Sequence, residues 1–233
     1  MRFHHLALAS LAAVASMNAS AASFDFSNLE YAGGVNTGFL PSDGVSCTGG
    51  DLCSSNVDGN IRNGDLTFST GGLTAKATGS YLGATAAVVQ DHENAYSVAN
   101  KIGAGLGVYH VSGDTSDDNI TFGEMLTLTF DQAVTITNIG LRSEGHNVTG
   151  WISGATFLLD GVSTLLPANV GSIGGLNLTG TQFTFAYGGV HPDQFYLSSV
   201  TAVAAVPELE TYALLLAGLG AVGFVARRRK QQG

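Results

Sequence analysis

Between Ala22 and Pro207 the chain has only four basic residues, Arg62, Lys76, Lys101 and Arg142, against sixteen acidic ones, a balance of −12. A body this acidic repels phosphate backbones instead of releasing counterions from them, which argues against nucleic acid as a partner. Cysteine is scarce: Cys47 and Cys53 are the only two. They cannot supply the two ligand pairs of a structural zinc site, and five intervening residues are too many for a Cys-x-x-Cys redox motif. No 3.6-residue hydrophobic period is sustained through the body, which speaks against helical bundles and α/β folds. Catalytic signatures are missing as well. His92, His110, His146 and His191 are scattered without His-Glu-x-x-His spacing, no Gly-x-Ser-x-Gly elbow occurs, and Gly103-x-Gly105-x-Gly107 matches neither phosphate-loop pattern. Asp91-His92-Glu93-Asn94 brings acid and imidazole together, but neighbours on a strand point to opposite faces, so it reads as a solvated turn.

What the body does have is alternation. In Glu124-Met125-Leu126-Thr127-Leu128-Thr129-Phe130, the residues Leu126, Leu128 and Phe130 share one face, and Thr127 and Thr129 share the other. Asp131-Gln132 reads as a turn into a second strand over Val134-Thr135-Ile136 and Ile139-Gly140-Leu141, so two neighbouring strands are expected there. Similar runs at 66–70, 73–78, 86–90, 107–111, 155–159, 162–166, 182–187 and 195–203 bring the expectation to about ten strands. Asp160-Gly161 is a hairpin signal, because both central positions of a type I′ turn need positive φ. With about 186 residues between the ends and many Gly and Thr, the expected fold is all-β: a single antiparallel β-sandwich or jelly-roll domain over 22–205. The stretch 22–63 shows little periodicity and reads as loops or an extended edge.

Both ends differ from the body. Met1–Ala21 has a weakly basic start, an apolar stretch from Leu6 to Val14 and the small residues Ala19-Ser20-Ala21, the pattern of a secretory signal helix cut by signal peptidase before Ala22. At the other end, the uncharged run 211–226 is sixteen residues, short of the roughly 20 that span a bilayer but able to cross with snorkelling and local thinning. Arg227, Arg228, Arg229 and Lys230 follow it, which puts the C-terminus on the cytoplasmic side of the inner membrane and the body outside. In an exported chain with an even count, Cys47 and Cys53 are expected to form a local disulfide.

The tail as a whole, Val206-Pro207-Glu208-Leu209 followed by the apolar run and the basic cluster, resembles the PEP-CTERM sorting signal of Gram-negative bacteria, residues 206–230 here. Leu209 stands where that signal has a second proline. The resemblance implies recognition by an exosortase-type membrane protease, with transient anchoring, N-terminus out and C-terminus in, before release to the cell surface or medium. If Leu209 blocks cleavage, the segment stays as an anchor. A block of about thirty residues, Gly105-Leu106-Gly107-Val108, the acidic loop Asp114 to Ile120 and Gly123-Glu124-x-Leu126-x-Leu128-x-Phe130-x-x-x-Val134, looks like one found in many PEP-CTERM proteins with predicted β-sandwiches. It implies a scaffold and no particular chemistry.

Two local features invite ligands. Asp114, Asp117, Asp118 and Asn119 form an oxygen-rich loop that reads either as a polar turn or as a Ca²⁺ loop completed by carbonyls and water; it lacks the EF-hand order and glycine. Trp151, beside Gly150, Ser153 and Gly154, reads as core or, on an exposed loop, as a platform for a sugar ring. Two functions follow as expectations: an exported surface or extracellular-matrix protein that binds exopolysaccharide without catalysis, or a secreted carbohydrate-active enzyme using a carboxylate pair.

Overall fold

The computed structural model describes residues 20–32, 35–43, 52–53, 64–91, 103–110, 118–205, 215–223 and 227–228. The body, Ser20–Ala205, is one compact unit. Its strands are β1 (Ala21–Asp25), β2 (Leu29–Ala32), β3 (Val35–Gly38), β4 (Leu52–Cys53), β5 (Leu66–Thr70), β6 (Leu73–Tyr81), β7 (Ala84–Asp91), β8 (Gly105–Tyr109), β9 (Glu124–Arg142), β10 (Thr156–Leu159), β11 (Val162–Leu165), β12 (Ser172–Ala186) and β13 (Tyr196–Ala204). All strand pairings are antiparallel.

The all-β, antiparallel expectation holds, and the sheet does more than a two-layer sandwich requires. Strand β9 pairs through its first half with β6 (Ala75↔Phe130 to Tyr81↔Glu124) and through its second half with β13 (Ala204↔Val134 to Tyr196↔Arg142), both on the same edge. Because β13 also pairs with β8, β8 with β7 and β7 with β6, five strands close into a ring. Closure removes open edges within the ring, while β1 and β11 end the sheet order outside it.

The cause is the segment expected to turn. Asp131-Gln132-Ala133 lies inside one 19-residue strand, and the two strands read from the sequence are the halves of β9. None of the three residues has positive φ, so no tight hairpin forms. The Asp131 carboxylate instead accepts the Thr74 amide at 3.1 Å, and β12 pairs with both halves of β9 but skips Phe130 to Ala133, with register shifts at Gly174/Leu178 and Gly180/Gln182. Bulges of this kind bend a strand and raise its twist, which lets β9 pass from one neighbour to the next. The Asp160-Gly161 turn is as expected: Leu159 pairs with Val162, and φ is 49° and 77°.

Leu126, Leu128 and Phe130 all face the core. On the other face Thr129 is half-buried, whereas Thr127 is only 8 % exposed. Thr127 is flanked by Thr78 and Thr184 on the two adjacent strands, so the face read as wet is covered there by its own neighbours.

Within the stretch 22–63, β1 is the extended edge, at the end of the sheet order beside β13, and it carries an alternation the sequence reading overlooked. Ala22, Phe24 and Phe26 alternate with Ser23, Asp25 and Ser27; the first three are buried and β1 pairs with β13 from Ala21↔Val203 to Asp25↔Ser199. Phe26 meets the Phe68 ring at 4.9 Å, Phe24 meets Phe130 at 5.7 Å, and Phe130 meets Phe183 at 5.9 Å. This aromatic chain joins β1, β5, β9 and β12 in the main core.

Outside the body, residues 215–223 are helical and exposed, as are 227–228. They fall within the expected membrane segment and basic cluster. Among the described residues no helix is long and apolar enough to cross a membrane.

Candidate functional site

Two polar features gather around the turn that follows β9. The first is a buried ionic network. Asp91, at the end of β7, is 3 % exposed and its Oδ2 lies 2.7 Å from His146 Nε2. The expected solvated turn is therefore, at Asp91, a buried carboxylate. His146 sits in the turn 143–150 at φ +58°, held by its amide to the Ser143 carbonyl at 2.9 Å. The Tyr196 hydroxyl, at the start of β13, donates to Asp118 Oδ1 at 2.5 Å, and the Tyr196 ring stands edge-on to His146 at 5.8 Å. Asn119 Nδ2 donates to Glu144 Oε2, which also accepts Gln194 Nε2 at 3.2 Å. Gly107 makes room for the segment 118–119: a Cβ there would overlap the Asp118 carbonyl, and Val108 N–H donates to Asn119 O at 3.0 Å.

Crowding sets the protonation of this network. Burial, then the neighbouring Asp91 charge, raises the Asp118 pKa to about 7 against the opposing Tyr196 hydrogen bond. Burial, then Asp118 and Asp91, pushes Tyr196 upward. Asp118 is thus largely protonated in acid and ionises near neutrality.

The second feature is a pocket of about 300 Å³ on the outer face of β1, β13, β9 and β12. Its register is a row across four strands: Asp25 opposite Ser199, Ser199 opposite Gly140, Gly140 opposite Ser172. A bulge in β13 at Ser198-Ser199 brings both serines beside Gly140. Gly140 has no Cβ to meet them; one built there would collide with Ser199 Oγ and lie 2.6 Å from Ser198 Oγ. Bulges commonly re-aim side chains at sites in this way. Ser23 and Ser27 complete the hydroxyl wall, and Ser27 Oγ donates to Asp25 Oδ1 at 2.8 Å.

Arg142 joins the two features. It lines the pocket, and its Nη1 donates to the His146 carbonyl at 3.1 Å. Its Nε is buried without a partner among the described residues. Desolvation lowers its pKa, with Asp25 opposing.

The residues singled out from the sequence fare differently. Asp118 and Asn119 turn inward to Tyr196 and Glu144; Asp114 and Asp117 lie outside the described residues. Among the described residues no group of three or more His, Cys, Asp or Glu is arranged to hold a metal ion. Trp151 is 9 % exposed in the main core, and its Nε1–H donates to the Gln194 carbonyl at 3.0 Å. That is the core placement, with no free ring face for a sugar. Of the disulfide pair, Cys47 lies outside the described residues, while the backbone of Cys53 pairs with Gln90. Of the signal-cleavage residues, Ala21 and Ala22 are the first residues of β1, and Ala19 lies outside the described residues. So do Val206, Pro207, Glu208, Leu209, Arg229 and Lys230; Arg227 and Arg228 are helical and exposed.

The pocket residues were missed, although part of the signal was present. Ser23-Phe24-Asp25-Phe26-Ser27 alternates cleanly and marks a strand with a polar outer face. Pairing of that face with Ser198, Ser199 and Gly140 depends on strand order, which the sequence does not carry. Comparison with protein family models, curated proteins and solved structures finds no match.

Proposed function

We propose that this is an exported surface or extracellular-matrix protein whose barrel binds a glycan, exopolysaccharide above all, without transforming it. The observation that carries the reading is the pocket: a concave row of serine hydroxyls with one carboxylate and one guanidinium, and no imidazole among its lining residues. Such a lining offers many exchangeable hydrogen bonds and no nucleophile with its base. Delivery rests on the tail and leader. Signal peptidase cuts before Ala22, the segment 211–226 holds the chain in the inner membrane with its body outside, and an exosortase-type protease acts at Pro207-Glu208. The block from Gly105 to Val134 supplies β8 and the first half of β9 to the ring, and we read the barrel as the closed form of that group's sandwich scaffold.

The carbohydrate-active enzyme has one observation in its favour. Asp118, with a pKa near 7, has the protonation of a general acid. Against it, the Asp118 carboxyl is engaged by Tyr196 and is not part of the pocket lining. A glycan array probed with the exported protein, with and without Ca²⁺, tests the reading, and product analysis on the bound glycans separates the two. Retention of intact glycan supports binding; shortened glycan with loss of the activity in Asp118→Asn supports the enzyme.

A further inference from the structure

Resting on that glycan-binding reading, we infer that the pocket takes one uncharged sugar unit, held by hydrogen bonds to the Asp25–Ser199–Gly140–Ser172 row and selected against acidic sugars and phosphate. Size, donor pattern and charge agree. At about 300 Å³ the pocket is at the small end of ligand sites and suits a single ring. The hydroxyls of Ser23, Ser27, Ser172, Ser198 and Ser199 both donate and accept, Asp25 only accepts, and Arg142 only donates. A sugar hydroxyl also does both, so a polyol can satisfy every partner at once.

An anion cannot. It would satisfy Arg142 and the serines but face the Asp25 carboxylate, and it would approach a body with a balance of −12, whose field opposes it. A cation meets the converse problem at Arg142. The charged lining residues are one of each sign, which is the complement of a neutral polar ligand. No aromatic ring lines the pocket, so orientation comes from hydrogen bonds. Gly140 is the specificity device, since its missing Cβ is the floor on which Ser198 and Ser199 sit. The turn 143–150 fixes the depth through Arg142 and the His146 carbonyl.

Calorimetric titration of the full exported protein with a panel of neutral hexoses, the matching uronates and inorganic phosphate tests this. Neutral sugars are expected to bind at least tenfold more tightly than uronates or phosphate. Asp25→Asn, an exposed change that leaves the core intact, is expected to weaken neutral-sugar binding about tenfold, the usual value of a hydrogen bond to a charged acceptor. Gly140→Ala should abolish binding, with thermal melting of each variant as the check on folding. Tighter binding of uronate or phosphate overturns the inference and leaves the glycan reading standing. So does polysaccharide binding that is unchanged in Asp25→Asn and in a folded Gly140→Ala, which would put the site elsewhere. Absence of binding to every glycan defeats both.

Discussion

Asp118 carries the most testable chemistry in the body, because burial raises its pKa from 3.8 to about 7. A carboxyl whose pKa is higher folded than unfolded holds its proton more tightly in the folded state. Its contribution to stability is complete below about pH 4 and is lost as pH rises through 7. Stability should therefore fall by up to about 1.4 kcal/mol per pH unit across that window from this group. Asp91, Glu144, His146 and Tyr196 face it and act on its charge. Asp118→Asn, which keeps an acceptor for Tyr196, should flatten the fall between pH 4 and 7 in chemical denaturation curves; an unchanged slope would assign it to the neighbours. The thiols belong at this scale too. Non-reducing peptide mapping of exported material is expected to link Cys47 to Cys53, and Cys47→Ser to cost no more than about 3 kcal/mol, since a short closed loop removes little unfolded-state entropy. Free thiols in that material would refute the disulfide.

Among the elements, β9 is both the best-read and the worst-read part of the sequence. Its alternation is local, so the core face of Leu126, Leu128 and Phe130 was legible. Its continuity through Asp131 to Ala133 was not, because those residues resemble a turn and are held by partners distant in sequence, the Thr74 amide at Asp131 and the Ala205 amide at the Ala133 carbonyl. The same division applies to β1: the alternation of Phe24 and Phe26 with Ser23, Asp25 and Ser27 was available, but short and set among Gly- and Asn-rich segments. The hydroxyl row and the ionic network both join residues from four or more segments, and only strand order assembles them. Leu128→Ala should cost about 2–5 kcal/mol in equilibrium unfolding. Thr129→Ala on the opposite, half-buried face should cost less than 1 kcal/mol. Equal losses would mean that β9 is packed equally on both faces, against the burial seen here.

For the whole molecule, the ring of five strands makes a closed scaffold and leaves the outer face of β1, β13, β9 and β12 to carry the pocket. Processing is the expectation to check first. Mass spectrometry of the protein from a host with an exosortase should give an N-terminus near Ala22 and loss of the residues after Pro207 or Glu208. A mature species that keeps Arg227 to Lys230 would instead make 211–226 a lasting anchor, the outcome to which Leu209 points. The central proposal is that the barrel binds glycan at the serine row, and amide NMR of the protein titrated with exopolysaccharide-derived oligosaccharides addresses it most directly. The account predicts saturable shifts confined to Ser23, Asp25, Gly140, Arg142, Ser172, Ser198 and Ser199 and their immediate neighbours; shifts centred elsewhere on the barrel, or none at saturating oligosaccharide, would contradict it.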